Sequence, residues 1–167
     1  SVGKTTLVNA LKETEQFNNY NFATERSKYL SDLGIPLNTD STLKGQTVFL
    51  AERCAELMCD DIITDRTIID VMSFTQNAKS IPYQDKDKFI EYAKEFIREY
   101  DYIFYISPGG LPIEDNGVRE TDEHYRDVID FTITSFIRKY AYMMKNVETI
   151  KGTTEERIEQ MLNVINS

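Results

Sequence analysis

"SVGKTTLVNAL" spans residues 1–11 and reads as the closing half of a phosphate-binding loop that runs straight into a helix. In the pattern G-x-x-x-x-G-K-[ST], Gly3, Lys4 and Thr5 supply the last three fixed positions. The leading glycine and the strand before it would precede residue 1. A glycine before the lysine lets the backbone turn tightly, so that successive N–H groups point into one concavity. The helix that follows adds the positive end of its dipole. The cup built from Ser1, Val2, Gly3, Lys4, Thr5 and Thr6 suits phosphate. Lys4 reaches into it as a point charge, and the Thr5 hydroxyl is placed to complete the coordination of Mg²⁺. The same residues also suit an ordinary helix start, since Thr is a common cap.

Length and composition bound what such a loop can belong to. At 167 residues with 41% hydrophobic content, the chain (1–167) reads as one domain with enough material for a continuous core. Nineteen Lys and Arg against 28 Asp and Glu give a formal charge of −9, with the acidic residues scattered over solvated faces. No basic stripe is present, so a nucleic-acid partner is not expected. No apolar run approaches membrane-spanning length, so no membrane partner is expected either. Cys54 and Cys59 fall in one expected helix without metal or redox spacing, which suggests reduced core thiols and a cytoplasmic location. His124 is the only histidine, which leaves no zinc constellation and no Ser-His-Asp triad. Nothing in the pattern sets an oligomeric state.

Along the chain, helical and strand-like periods alternate. Leu7, Val8 and Leu11 form an apolar stripe on the first helix, and an extended stretch follows at 19–25. A helix over 26–34 stops at Gly34, and a longer one over 42–59 repeats Leu43, Thr47, Leu50, Cys54, Leu57 and Met58. "DDIITDR" is a compact strand ending in charge, and "YDYIFYIS" at 100–107 is the clearest strand, closed by Pro108-Gly109-Gly110. Helices are expected at 67–79, 86–99 and 121–142, a last strand at "VETIK", and a final helix opening on a capping box at Thr153. The alternation predicts a three-layer α/β sandwich whose sheet contains 20–25, 61–65, 101–107 and 147–151, all parallel.

In such sheets ligands bind beyond the carboxyl ends of the strands, so the polar residues there are the informative ones. Asp65 closes an apolar strand and fits two roles, a Mg²⁺ carboxylate facing Lys4 and Thr5 or a cap for the helix after it. Arg66 suits phosphate or carboxylate with its planar fork, or a plain surface pair with Asp65. Glu25 is placed to accept the proton of an attacking hydroxyl or to fix a sugar, and Arg26 beside it shares the same ambiguity with a solvent-exposed strand end. The Gly- and Pro-rich stretch over 107–126 is long for a compact domain, and a lid around 108–126 would carry Arg119 and Arg126 toward a transferring phosphoryl group. Salt bridges to neighbouring carboxylates are the competing use of each arginine.

"GKTTLVNAL", "TER", "DIITDR" and "EDNGVRETDEHYR", in that order, resemble the P-loop nucleoside and nucleotide kinases. The nearest likeness is to the AAA-type ATPase/kinase family that includes the ribosylnicotinamide kinase domain and many small phage-borne chains. The resemblance implies a parallel P-loop kinase-type sheet with the phosphate-loop strand central, ATP as donor, Mg²⁺, and an arginine-bearing lid matching Arg119 and Arg126. It also implies that the turn containing Gly152 lies near the adenine. The expected activity is ATP-dependent phosphoryl transfer to a small nucleoside or nucleotide acceptor, with Lys4, Asp65, Arg119, Glu25 and Arg126 in catalysis and Glu25, Arg26 and Arg66 on the acceptor. The alternatives are an ATP-hydrolysing switch and a nucleotide-binding module without turnover. The half-loop at the start departs from the family pattern.

Overall fold

The computed structural model describes residues 3–24, 26–107 and 122–167. The expectations for Ser1, Val2, Glu25, Arg119 and most of the lid segment fall outside them. Among the described residues, strands β1 (Asn21–Ala23), β2 (Ile62–Thr64), β3 (Ile103–Ile106) and β4 (Val147–Ile150) are interleaved with seven α-helices. β1 pairs with β2 in parallel, Phe22 opposite Ile63, and β3 pairs with β4 in parallel, Phe104 opposite Glu148. Where the sequence reading expects one sheet, the described strands form two pairs. No described strand bridges β2 to β3. A continuous cavity of about 870 Å³ is lined instead by both, from Ile62 to Thr64 on one side and from Ile103 to Ile106 on the other. Strands of a parallel sheet are ordinarily covered on both faces, yet all of β2, and β3 beyond Ile103, are only half-buried.

Two apolar clusters hold the layers. The larger joins α3 (Leu43–Glu56), α4 (Ile68–Gln76), α5 (Tyr83–Ala93) and α6 (Glu123–Lys139) around Ile68, Met72, Ile97 and Phe136. The helical stretch expected at 86–99 is α5 followed by a tighter 3₁₀ segment, Lys94–Glu99. The smaller cluster packs α1 (Lys4–Lys12) on α7 (Thr154–Ile165) through Leu7, Leu11 and Met161, with Phe17 and Ile150. These two helices run side by side in the same direction. Gly3 lies against Arg157 at one end, while at the other Gln16 Nε2 donates to Asn166 Oδ1 at 2.9 Å and Asn166 Nδ2 returns a bond at 3.0 Å.

Caps mark the helix starts. Thr42 accepts from the Gly45 N–H, and Thr67 forms a reciprocal capping box with Asp70. At α7 the Thr153 hydroxyl accepts from Glu156 N–H and donates to the Glu156 carboxylate, a variant of the box expected there. The buried face of α3 differs from the one its apolar residues suggest: Gly45, Gln46, Leu50 and Arg53 point inward, while Met58, past the helix end, is 86% exposed. Cys54 is half-buried but Cys59 is exposed, because it too lies beyond that helix, and so it is not a core thiol. Among the described residues no helix is long and apolar enough to cross a membrane.

Among the described strands β2 and β3 are each paired along one edge only, and both line the cavity. Extending the chain ahead of Ser1 with about five β-branched residues, the usual length of a strand, is therefore expected to raise the urea midpoint and slow amide exchange along both edges. An unchanged midpoint would show that the cavity takes no strand.

Candidate active site

The site begins at the turn into α1. Gly3 is the N-cap with φ +78° and ψ 20°, a left-handed conformation open to glycine at little cost. Among the described residues no side-chain hydrogen bond caps the helix and its first turn carries no acidic residue, so the positive end of its dipole is not offset from within the helix. Lys4 and Thr5 line the cavity beside this turn. Thr6 does not, being exposed on the face of α1 opposite Leu7, Val8 and Leu11.

The second wall comes from the end of β2. The Asp65 N–H donates to the Ala23 carbonyl at 3.2 Å, which extends the β1/β2 ladder and turns the chain out at the cavity. Of the two roles read for Asp65, Mg²⁺ carboxylate and helix cap, capping belongs to other residues: Thr67 is the cap of α4, and Asp70 Oδ2 accepts from the Thr67 N–H at 2.7 Å. The other oxygen of Asp70, Oδ1, faces Arg66 Nη1 at 3.7 Å, and the Arg66 guanidinium lies over the Phe74 ring, 5.3 Å from its centroid. Arg66 is thus held from two sides against the cavity wall rather than paired on the surface with Asp65. Asp65, Arg66, Asp70 and Phe74 all line the cavity.

Arg26 does not join them. It is 52% exposed, its Nη1 lies 3.3 Å from Glu52 Oε1, and its guanidinium stacks over Tyr29 at 4.5 Å. The carboxylate on α3 and the ring one turn along α2 (Ser27–Asp32) draw it away, so the expectation that Arg26 and Arg66 share one pocket is not met. Arg126 of α6 lines the cavity, next to Asp130, whose carboxylate accepts from the Tyr105 hydroxyl. Burial and the Asp130 charge both push that phenol above its ordinary range. Gly152 has φ +101°, a left-handed conformation that favours glycine; the group nearest a Cβ there is the exposed Glu156 carboxylate, which is free to swing aside. It lies away from the cavity lining.

Two lining residues escape an apolar-stripe reading altogether. Gln46, 3% exposed, and Arg53, 2% exposed, stand two turns apart on α3 with Phe49 between them, and all three line the cavity. Arg53 Nη2 donates to Glu56 Oε1 at 2.6 Å and lies 3.9 Å from Glu52 Oε2. Glu52 therefore serves both Arg53 inside and Arg26 outside. Burial raises the Glu56 carboxyl above the usual range, with Arg53 opposing and Asp65 and Glu52 adding to the rise. The signal available in the sequence is the i, i+3, i+7 set of Gln46, Phe49 and Arg53, which a search for apolar stripes passes over because two of its members are polar.

A glycine-turned helix start bearing Lys4 and Thr5, set among parallel strands, is the arrangement of a P-loop fold. The sequence profile of the AAA domain family matches residues 1–157, and the chain belongs to that family. Among solved structures, the chain is similar to deoxyadenosine kinase from M. mycoides with products dCMP and a flexible dCDP bound. The TM-score is 0.66 at 16% sequence identity, over 99% of this chain and 94% of that one. No match was found among curated proteins.

Arg53→Ala is expected to cost about 3–5 kcal/mol in urea denaturation, the range for breaking one partner out of a buried pair. The raised Glu56 carboxyl also fixes a pH trend. Its folded-state value lies above its unfolded one, so the folded state holds the proton more tightly and stability falls as pH rises through that window. Glu56→Gln should accordingly gain on the wild type as pH climbs from about 4, measured by denaturation at each pH.

Proposed function

We propose that the chain transfers the γ-phosphoryl group of ATP to a small nucleoside or nucleotide. One observation carries the reading: a single cavity meets Lys4 and Thr5 and is also walled by Gln46, Phe49, Arg66 and Phe74. A phosphate cup alone would serve an ATPase equally well. The second wall is what water, as an acceptor, has no use for. An amide presents a donor and an acceptor side by side, which suits the edge of a nucleobase, and aromatic rings suit its face. The guanidinium of Arg66, already oriented by Asp70 and Phe74, offers a planar fork to a phosphate or sugar oxygen.

On the donor side, Lys4 would lie against the β and γ phosphates with the first-turn N–H groups of α1 behind it. The Thr5 hydroxyl and the Asp65 carboxylate are hard oxygen donors on the same cavity, the kind of set that suits Mg²⁺, an ion that takes one or two protein oxygens and completes its shell with phosphate and water. When bound, such an ion neutralises phosphate charge. Arg126 adds a cation from α6. Glu25 is the proposed base for the acceptor hydroxyl and Arg119 the proposed lid arginine. The fold likeness to a deoxyadenosine kinase supports beginning an acceptor screen with deoxynucleosides.

Lys4→Ala is expected to abolish transfer while leaving the circular dichroism spectrum unchanged. Arg66→Lys should raise the acceptor KM far more than the ATP KM, because a point charge does not replace a bidentate fork. Arg119→Ala should lower kcat by roughly a hundredfold, the scale of losing one transition-state donor. ATP consumption that no nucleoside or nucleotide accelerates would replace the kinase reading with that of a hydrolysing switch.

A further inference from the structure

Arg157 leaves the first turns of α7 with its side chain turned inward, 9% exposed, and its Nη1 lies 3.4 Å from the point where a Cβ on Gly3 would stand. At that distance a Cβ would only touch the guanidinium, so the turn asks for glycine through its φ of +78° rather than through lack of space, and the guanidinium lies close beside it. Parallel packing of α1 on α7 through Leu7, Leu11 and Met161, closed at the far end by the Gln16–Asn166 amide pair, fixes the two helix starts next to each other. Arg157 therefore sits beside the left-handed turn that aims the N–H groups of α1, one residue from Lys4. A buried guanidinium acts through a poorly screened field, so its charge is felt at the turn more strongly than that of a surface cation.

We propose that Arg157 is a positioning residue of the donor-phosphate site: its guanidinium braces the Gly3 turn against α7 and places a second positive charge behind Lys4. The inference rests on the phosphoryl-transfer reading of the cavity, and it assigns to α7 a part in holding the donor that the phosphate-loop motif does not contain. A guanidinium fork fills this place better than an ammonium, because it spans the gap between helix and turn with a flat, fixed set of donors.

The test compares Arg157→Met, Arg157→Lys and Lys4→Ala in the full chain, reading the affinity for a fluorescent ADP analogue with Mg²⁺, the acceptor KM and the urea midpoint. Arg157→Met should weaken ADP at least tenfold with the acceptor KM within about twofold of wild type, and Arg157→Lys should recover part of the loss. A residue that serves packing alone would lower the midpoint and leave the ratio of ADP affinity to acceptor KM where it was, which overturns the proposal. If Arg157→Met does not fold, Arg157→Lys decides: a threefold or greater weakening of ADP supports the role, and wild-type affinity overturns it. Loss of ADP binding in Lys4→Ala beside wild-type binding in both Arg157 variants removes this inference alone. Failure of the wild-type chain to bind ADP removes the inference together with the reading beneath it.

Discussion

Because β1 pairs with β2 and β3 with β4 in parallel, the two strands of each pair leave it in the same direction, and the chain must return through a helix before the next strand begins. That constraint puts helices over the strands and leaves the polar residues that follow a strand at a rim, where no ladder partner consumes their side chains. Asp65 and Arg66 emerge in this way, and the turn into α1 opens onto the same cavity. Parallel pairing thus gathers chemistry that is scattered through the sequence.

Around that rim, charge is managed by sharing. Asp70 uses one carboxylate oxygen to close the cap of α4 and presents the other to Arg66, so a structural bond and the orientation of a cavity residue depend on one side chain. Glu52 stands between Arg53 and Arg26 in the same manner. The buried Tyr100 hydroxyl accepts from the Ile68 N–H at 3.1 Å and so satisfies a first-turn donor of α4 that the capping box leaves open. Buried polar groups cost free energy unless paired, and these bonds let α3 and α4 carry polar residues to the cavity without unfolding around them. Phosphoryl transfer asks mainly for position and electrostatics, so a wall of side chains already fixed by neighbours suits it.

The helices whose apolar spacing was regular are those the sequence describes best. Leu7, Val8 and Leu11 on α1 and Tyr125, Ile129, Phe136 and Tyr140 along α6 and its end lie inside as their spacing indicates, with Ile133 of the same stripe half-buried. α3 departs from this pattern because the cavity, rather than the apolar core, claims part of its inner face; Gln46 and Arg53 are buried there while Leu43 is exposed. Arg26 shows the opposite limit: its place beside Glu25 suggested a rim residue, but a carboxylate on a helix 26 residues away, Glu52, draws it outward. Neither outcome has a signature in local spacing, since each depends on what another element presents.

The sequence by itself determined the phosphate-loop half at Gly3, Lys4 and Thr5, the alternation of strands and helices, the parallel pairing, and the glycine demanded at the turn into α1. Each of these follows from short-range physics: the steric freedom of glycine at positive φ, the period of apolar residues, and the need of parallel strands for a crossover. Tertiary structure alone decided which polar residues share the cavity, that Arg66 faces inward and Arg26 outward, and that Arg157, more than 150 residues along the chain, lies against Gly3. Those outcomes rest on contacts between distant elements, where packing of α1 on α7 and sharing of carboxylates select one arrangement among several that the local pattern permits.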